Sequence, residues 1–273
     1  SHVLPLGTAG CLAKMITNKP YLIIVHGMDI RLASKSCIKK WLCKNVLQNA
    51  KVVIANSKAL QLEVEKDYAI NNAIVSYPCF EEKETKIIEH EGINLLTVSR
   101  LVSRKGHLRV IQALDRLIQK DPSIKITYHI VGKGLEQKRI LSEIYRRKLD
   151  DYVLFHIHCS DNDLDALYAA SDIFVMPVHN HPVDKEGFGM VYLEAAQYGM
   201  PSIATNMSGV DEAVIDGQTG ILIKDGDIDA LENSLNQLIN DVDLRHKLGN
   251  AAKDRASKGF SPNAQLEQLK RYL

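Results

Sequence analysis

The chain has 273 residues, with 34 basic and 33 acidic side chains, 45% hydrophobic and 25% charged residues, and a formal net charge of +1. That length suits about two domains with separate cores, and the balanced charge gives no overall pull toward nucleic acid or anionic lipid; either would need a local patch, and no nucleic acid is expected as a partner. Cys11, Cys37, Cys43, Cys79 and Cys159 are scattered and never spaced as C-x-x-C, so neither a disulfide scaffold nor a zinc knuckle is expected, and a reducing cytoplasm is the natural setting.

In chain order, Tyr21 to Val25, Val52 to Ala55 and Ala73 to Val75 read as strands with helices between them. This is about half of a doubly wound domain, expected to be incomplete on its N-terminal side and therefore fragile. The charged segment Glu81 to Glu91 lacks apolar periodicity and reads as a linker, placing the domains at 1–85 and 92–273. Beyond it come strand Leu95 to Val98, a helix from about Leu108 to Gln119, and strand Ile124 to Val131. A helix over roughly Glu136 to Lys148, strand Val153 to Phe155, a short helix Leu164 to Ala170 and strand Ile173 to Met176 follow. Met190 to Tyr198 reads as a helix stopped by Gly199 and Pro201, and Pro201 to Thr205 and Ile221 to Ile223 supply two more strands. Strands this continuously apolar, alternating with helices, predict an α/β fold with parallel sheets covered on both faces.

Two stretches carry chemistry. Glu186-Gly187-Phe188-Gly189 stands before the Met190 helix, and Glu194 lies about two turns inside it. Free N–H groups at such a helix start favour an anion, and the glycines let a ligand approach the backbone. One acid beside an anion hole and a second farther along the helix match the layout of a nucleotide sugar: sugar hydroxyls, diphosphate, ribose hydroxyls. The other stretch, Ser99 to Gly106, follows the first strand of the second domain, where open α/β sheets bind ligands. There Arg100 offers a fixed fork of donors and Lys105 a mobile point charge, a pair suited to a diphosphate.

Other patterns have plainer readings. Asp161-Asn162-Asp163, Asp225-Gly226-Asp227 and Asp227-Ile228-Asp229 match the D-x-D pattern of metal-dependent transferases, yet each stands at a helix start and reads as a cap. His156-x-His158 and His179-x-His181 lack a fixed acidic or cysteine partner, so no metal site is expected. Gly132-x-Gly134 lacks the third glycine of the dinucleotide fingerprint. Lys35 to Lys44, with Lys39, Lys40 and Trp41, reads either as an outer helix with Ile38 and Leu42 in the core or as a contact with an anionic membrane surface. No apolar run approaches bilayer length and no signal-peptide pattern opens the chain, so a cytoplasmic setting is expected, peripheral at the inner membrane face if lipid is touched.

The order strand, Arg-x-x-x-x-Lys-Gly, helix, then strand, Glu-Gly-Phe-Gly, helix with Glu, Gly-x-Pro, strand resembles the retaining glycosyltransferases of family 4. Val131-Gly132-Lys133-Gly134, Leu167 to Pro177, Asp216 to Leu222, His26-Gly27-Met28-Asp29 and Val53 to Ser57 match as well. The resemblance implies a GT-B fold: two Rossmann-like doubly wound domains, the first only partly present. It implies that Arg100 and Lys105 hold the donor diphosphate and that Glu186 accepts from donor-sugar hydroxyls. The backbone of Gly187, Phe188 and Gly189 would bind sugar and phosphate, and Glu194 the ribose. Gly132 would line the cleft floor, His26 would touch the sugar, and His158 to Ser160 would lie by the base. The implied activity is metal-independent transfer of a hexose, with retention and no cofactor, from a nucleotide-diphosphate sugar to a glycan or lipid-linked acceptor. The insertion Val178 to Lys185 is similar to that of mannosyl- and glucosyl-type relatives. A non-catalytic nucleotide-sugar-binding module, or an inactive fragment, is the alternative.

Overall fold

A computed structural model describes residues 3–80, 83, 85–181 and 185–272. Most of the linker and most of the insertion fall in the described part; Glu81, Glu82 and Glu84 of the linker, and residues 182–184 of the insertion, lie outside it. The chain forms two compact units, one made of 1–81, 181–188 and 259–273, the other of 82–180 and 189–258. The division therefore differs from a single cut near residue 85, because two later segments group with the first sheet.

The first unit holds α1 (Thr8–Thr17), β1 (Leu22–Val25), α2 (Met28–Ser34), α3 (Cys37–Asn49), β2 (Val52–Ala55), α4 (Lys58–Tyr68) and β3 (Ala73–Val75). The strands pair in parallel in the order β1-β2-β3. β2 is buried along its whole length, whereas β1 alternates, with Leu22 and Ile24 exposed. Ser36 and Ser57 cap α3 and α4 by accepting from the backbone N–H groups of Lys39 and Leu60. Val25, Val46, Leu47, Val53, Val64 and Tyr68 build one continuous core. On α3 the core stripe is Cys43, Val46 and Leu47, while Ile38 is 73% exposed and Leu42 only partly buried. Placing Ile38 in the core is thus a misreading of the helix phase.

The second unit runs β4 (Ile93–Val98), α5 (His107–Lys120), β5 (Ile126–Val131), α6 (Gln137–Arg146), β6 (Val153–His156), α7 (Asp161–Ala169), β7 (Ile173–Met176), α8 (Met190–Gln197), β8 (Ser202–Thr205), α9 (Val210–Ala213), β9 (Gly220–Ile223), α10 (Ile228–Asn240) and α11 (Val242–Gly259). Its six strands are all parallel, in the order β6-β5-β4-β7-β8-β9. Strand order runs outward from β4 in one direction and from β7 in the other, so a topological switch point falls between these neighbours. The buried Thr97 hydroxyl ties β4 to both flanks, bonding the Tyr128 hydroxyl at 2.8 Å and donating to the Val175 carbonyl. α5 buries Val110, Ile111, Leu114 and Leu117 on one face, at the spacing an amphipathic helix needs, and packs beside α10.

The last helix, α12 (Pro262–Lys270), belongs to the first unit. Gln265, 3% exposed, accepts from the Tyr77 backbone N–H at 2.8 Å and donates to the Gly259 carbonyl at 2.8 Å. Phe260 packs with Tyr77 and Phe188, ring centroids 5.3 and 5.4 Å away. Replacing Gln265 by Leu strands two backbone groups, at a cost of about 1–3 kcal/mol. Urea unfolding of the Gln265→Leu variant is expected to show that loss; unchanged stability would mean that these two hydrogen bonds add nothing to this unit.

Candidate functional site

The loops leaving the carboxyl ends of β4, β5 and β7 meet over the switch point of the second unit. After β4, Ser103–Lys105 makes one tight turn, and Gly106, at φ +79°, starts α5 without a side-chain cap. A Cβ on Gly106 would stand 2.2 Å from the Pro177 carbonyl oxygen. The His179 N–H donates to the Arg104 carbonyl at 2.6 Å, so the loops after β4 and β7 lie side by side. Gly132, at φ +140° after β5, is pressed on the same loop, where a Cβ would come within 1.9 Å of the Ser99 carbonyl oxygen.

Two helices begin here with glycine caps. Gly189 opens α8 at φ +82°, and like Gly106 it has no side chain to fold back on the first-turn amides. Those N–H groups and the positive ends of two helix dipoles make this end of the sheet receptive to an anion. Arg100 is exposed on the β4 loop, whereas Lys105, in the turn before α5, is only 7% exposed. A cavity of about 300 Å³ opens beside the start of α5, lined in part by Ser103, Gly106, His107, Arg139 and His179.

Glu194 sits on α8, partly buried, and accepts a 2.8 Å hydrogen bond from the Tyr168 hydroxyl. The Tyr168 ring stacks on Tyr198, centroids 5.3 Å apart, and burial and the Glu194 carboxylate hold its phenol protonated. Tyr168 stands in the stretch Leu167 to Pro177, but its partnership with Glu194 has no sequence signal because α7 and α8 are separated by a strand and a long loop. The loop after β7 is anchored on its other side as well. Arg109 donates to His179 Nδ1 at 2.5 Å and to Asp225 at 2.7 Å, and Asp225 accepts from the Asn180 N–H at 3.0 Å.

The remaining expected residues belong to the first unit. His26 is exposed at the carboxyl end of β1, its backbone N–H donating to Asp29 at 3.2 Å. Glu186 is half-buried, and a Cβ on Gly187 would meet nothing nearer than Asn56 Nδ2 at 3.4 Å, so packing does not demand glycine there. Phe188 spends its side chain on Tyr77 and Phe260, leaving its backbone for any ligand role. Arg100, Lys105, Gly132, Gly189 and Glu194 are all in the second unit.

Most aspartates of the D-x-D patterns have structural work. Asp163 completes a capping box with Ser160, Asp227 caps α10, and Asp225 holds Arg109. His156 Nε2 lies 3.0 Å from His129 Nδ1, and His179 is bonded to Arg109. Among the described residues no group of three or more His, Cys, Asp or Glu is arranged to hold a metal ion, and no helix is long and apolar enough to cross a membrane. His158, Cys159 and Ser160 follow β6 and lead into α7.

Residues 80–255 match the family of glycosyl transferases group 1. The fold of parallel α/β sheets is that of the GT-B glycosyltransferases, and the chain belongs to the group 1 family. It is 29% identical over 245 residues to the capsular polysaccharide biosynthesis glycosyltransferase CapM of Staphylococcus aureus, covering 88% of this chain and 60% of that protein. The D-inositol 3-phosphate glycosyltransferase of Corynebacterium urealyticum is 31% identical, covering 84% of this chain and 58% of its own length. Anabaena Alr3699/HepE, solved in complex with UDP-glucose, superposes with a TM-score of 0.79 at 26% identity, over 97% of this chain and 75% of that one. The chain therefore spans about three-fifths of these two curated relatives.

His107, at the start of α5, is 2% exposed, and its Nε2 lies 3.0 Å from Ser99 Oγ. Burial, then the charge of Lys105, pushes its pKa down to about 4. Burial and the neighbouring His156 and His90 lower His129 to about 4 as well. Both rings are neutral when folded but take up protons near pH 6.5 when unfolded, so stability is flat above that pH and falls as pH drops from about 6.5 toward 4. The slope from His107 alone approaches about 1.4 kcal/mol per pH unit. Urea unfolding at pH 7.5 and pH 5 is expected to show a smaller acid loss in a His107→Gln variant than in the parent; equal losses would contradict the buried neutral ring.

Proposed function

We propose that the chain carries the donor-binding and catalytic residues of a retaining glycosyltransferase of family 4. It would move a sugar from a nucleotide-diphosphate donor to a hydroxyl of a glycan or lipid-linked acceptor, with no metal ion and no cofactor beyond the donor. The observation that carries this reading is the convergence, at the β4/β7 switch point, of two glycine-capped helix starts with the loop that bears Arg100 and the buried Lys105. A diphosphate suits that place because donors fixed before the reaction stabilise charge as it develops on the leaving group. Glu194, held by Tyr168, suits a pair of ribose hydroxyls. The UDP-glucose of the HepE structure makes a uridine nucleotide sugar the first donor to try.

In this reading the anomeric C–O bond breaks and its electron pair passes to the departing diphosphate, neutralised by Arg100 and Lys105. The acceptor oxygen bonds to the same face of the anomeric carbon, and its proton goes to the leaving phosphate oxygen. The family resemblance assigns Glu186 to the donor-sugar hydroxyls and His26 to the sugar near its reacting carbon. Because the chain spans about three-fifths of its curated relatives, a nucleotide-sugar-binding module without turnover is the second reading.

A panel of nucleotide sugars, assayed with the full-length protein for thermal stabilisation and for transfer or hydrolysis, separates the two. One donor class should raise the melting temperature, with and without EDTA, and be turned over, and Glu186→Ala should lower the transfer rate by orders of magnitude. Stabilisation without turnover would leave only the module, near-normal turnover of Glu186→Ala would remove its role, and loss of activity with EDTA would overturn metal independence.

A further inference from the structure

The near-neutral total conceals a separation of charge along the chain. Residues 1–62 contain nine of the 34 basic side chains but a single acid, Asp29, out of 33. The remainder of the chain is correspondingly acidic. In the structure this excess is concentrated around α3, whose sequence Cys37–Asn49 has three lysines and no acid, with Lys35 just before it. Lys35, Lys39, Lys40 and Lys44 are all exposed. Arg31, the other cation of this region, is held by Glu63 through two bonds of 2.6 and 2.7 Å and does not join the exposed set.

The apolar residues of α3 divide into two stripes. Cys43, Val46 and Leu47 are buried against the sheet. Ile38 and Trp41, one turn apart and therefore neighbours on the helix surface, stand on the other side, 73% and 63% exposed. Single exposed apolar residues are ordinary, but an exposed Ile–Trp pair one turn apart, on a helix that with its lead-in carries four exposed lysines and no acid, is less so. It has the composition of a helix that lies in a membrane interface: an aromatic and an aliphatic anchor with cations at the level of the headgroups.

We infer that this face of α3 docks on an anionic lipid surface, with Trp41 and Ile38 entering the headgroup region and Lys35, Lys39, Lys40 and Lys44 facing the lipid phosphates. The compact lysine charge, set on a flexible stem, suits a diffuse anionic plane, whereas a nucleic acid would favour the planar forks of arginine. Ile38 also has no stacking face to offer a base. Each lysine near an anionic bilayer is worth about 1 kcal/mol, or roughly a fivefold change in partition, and the attraction falls with added salt. This surface lies in the first unit and stands independently of the proposed sugar transfer.

Trp41 is the chain's single tryptophan, so its fluorescence reports on this face alone. With vesicles of phosphatidylglycerol and phosphatidylcholine in equal parts, the full-length protein should co-sediment and its emission should shift to the blue. Neither should happen with phosphatidylcholine alone. If the full-length protein carries further tryptophans, they are replaced by Phe so that Trp41 remains the only reporter. The triple reversal Lys39→Glu, Lys40→Glu, Lys44→Glu should weaken partition by about a hundredfold or more, and Trp41→Ser with Ile38→Ser, read by sedimentation, should weaken it at least tenfold. All these side chains are exposed, so the variants should keep the parent's circular dichroism and melting temperature. Unshifted Trp41 emission, equal binding to neutral vesicles, a blue shift that grows with protein concentration in the absence of lipid, or tighter binding to single-stranded DNA than to the vesicles would each overturn the assignment.

Discussion

Where the loops after β4, β5 and β7 come together, main chain meets main chain. A methyl group on Gly106 would enter the Pro177 carbonyl, and one on Gly132 the Ser99 carbonyl. Because these positions lack side chains, the β4 loop can lie flat between its neighbours and deliver Lys105 to the start of α5. The Tyr192 hydroxyl, donating to the Met176 carbonyl at 2.8 Å, sets the first turn of α8 beside the end of β7. Hydrogen bonds made elsewhere hold the arrangement: Thr97 joins three strands beneath it, and Arg109, His179 and Asp225 fix the far side of the β7 loop.

The chemistry this favours is anionic. The buried Lys105 and two dipole ends with glycine caps, gathered where strand order reverses, favour an anion there. Burial first, and then the charge of Lys105 beside it, lowers the pKa of His107, so a second positive charge is disfavoured here. Neutral His107 adds no charge to that of Lys105 beside it. Glu194 stands on the helix that begins at Gly189, and Tyr168 fixes one of its oxygens, a hydrogen bond to a charged acceptor worth about 1.5–3 kcal/mol.

Much of the fold can be read from the chain because parallel strands buried on both faces are written as unbroken apolar runs. β2, β7 and β8 fall within a residue of where those runs predict them. The aspartates at helix starts are equally legible, since capping is local; the Ser160–Asp163 box in fact starts α7 three residues earlier than its apolar pattern suggests. Phase and long-range pairing were harder. Ile38 and Leu42 form an i, i+4 pair as convincing as the true stripe, and nothing local decides which one meets the sheet. The bonds of Gln265 to Tyr77 and of Tyr168 to Glu194 join residues 188 and 26 positions apart. These contacts exist only once the tertiary fold has formed, so α12's place in the first unit and the role of Tyr168 carry no local signature.

The proposed sugar transfer requires a diphosphate at the β4/β7 junction. Calorimetric titration of the full-length protein with a nucleoside diphosphate and its monophosphate, repeated on a Lys105→Met variant, tests it most directly. The diphosphate is expected to bind at least about tenfold more tightly to the parent, a margin of about 1.4 kcal/mol, and the preference to collapse in the variant. Equal affinity for the two nucleotides in the parent, or a preference untouched by the loss of Lys105, would contradict it.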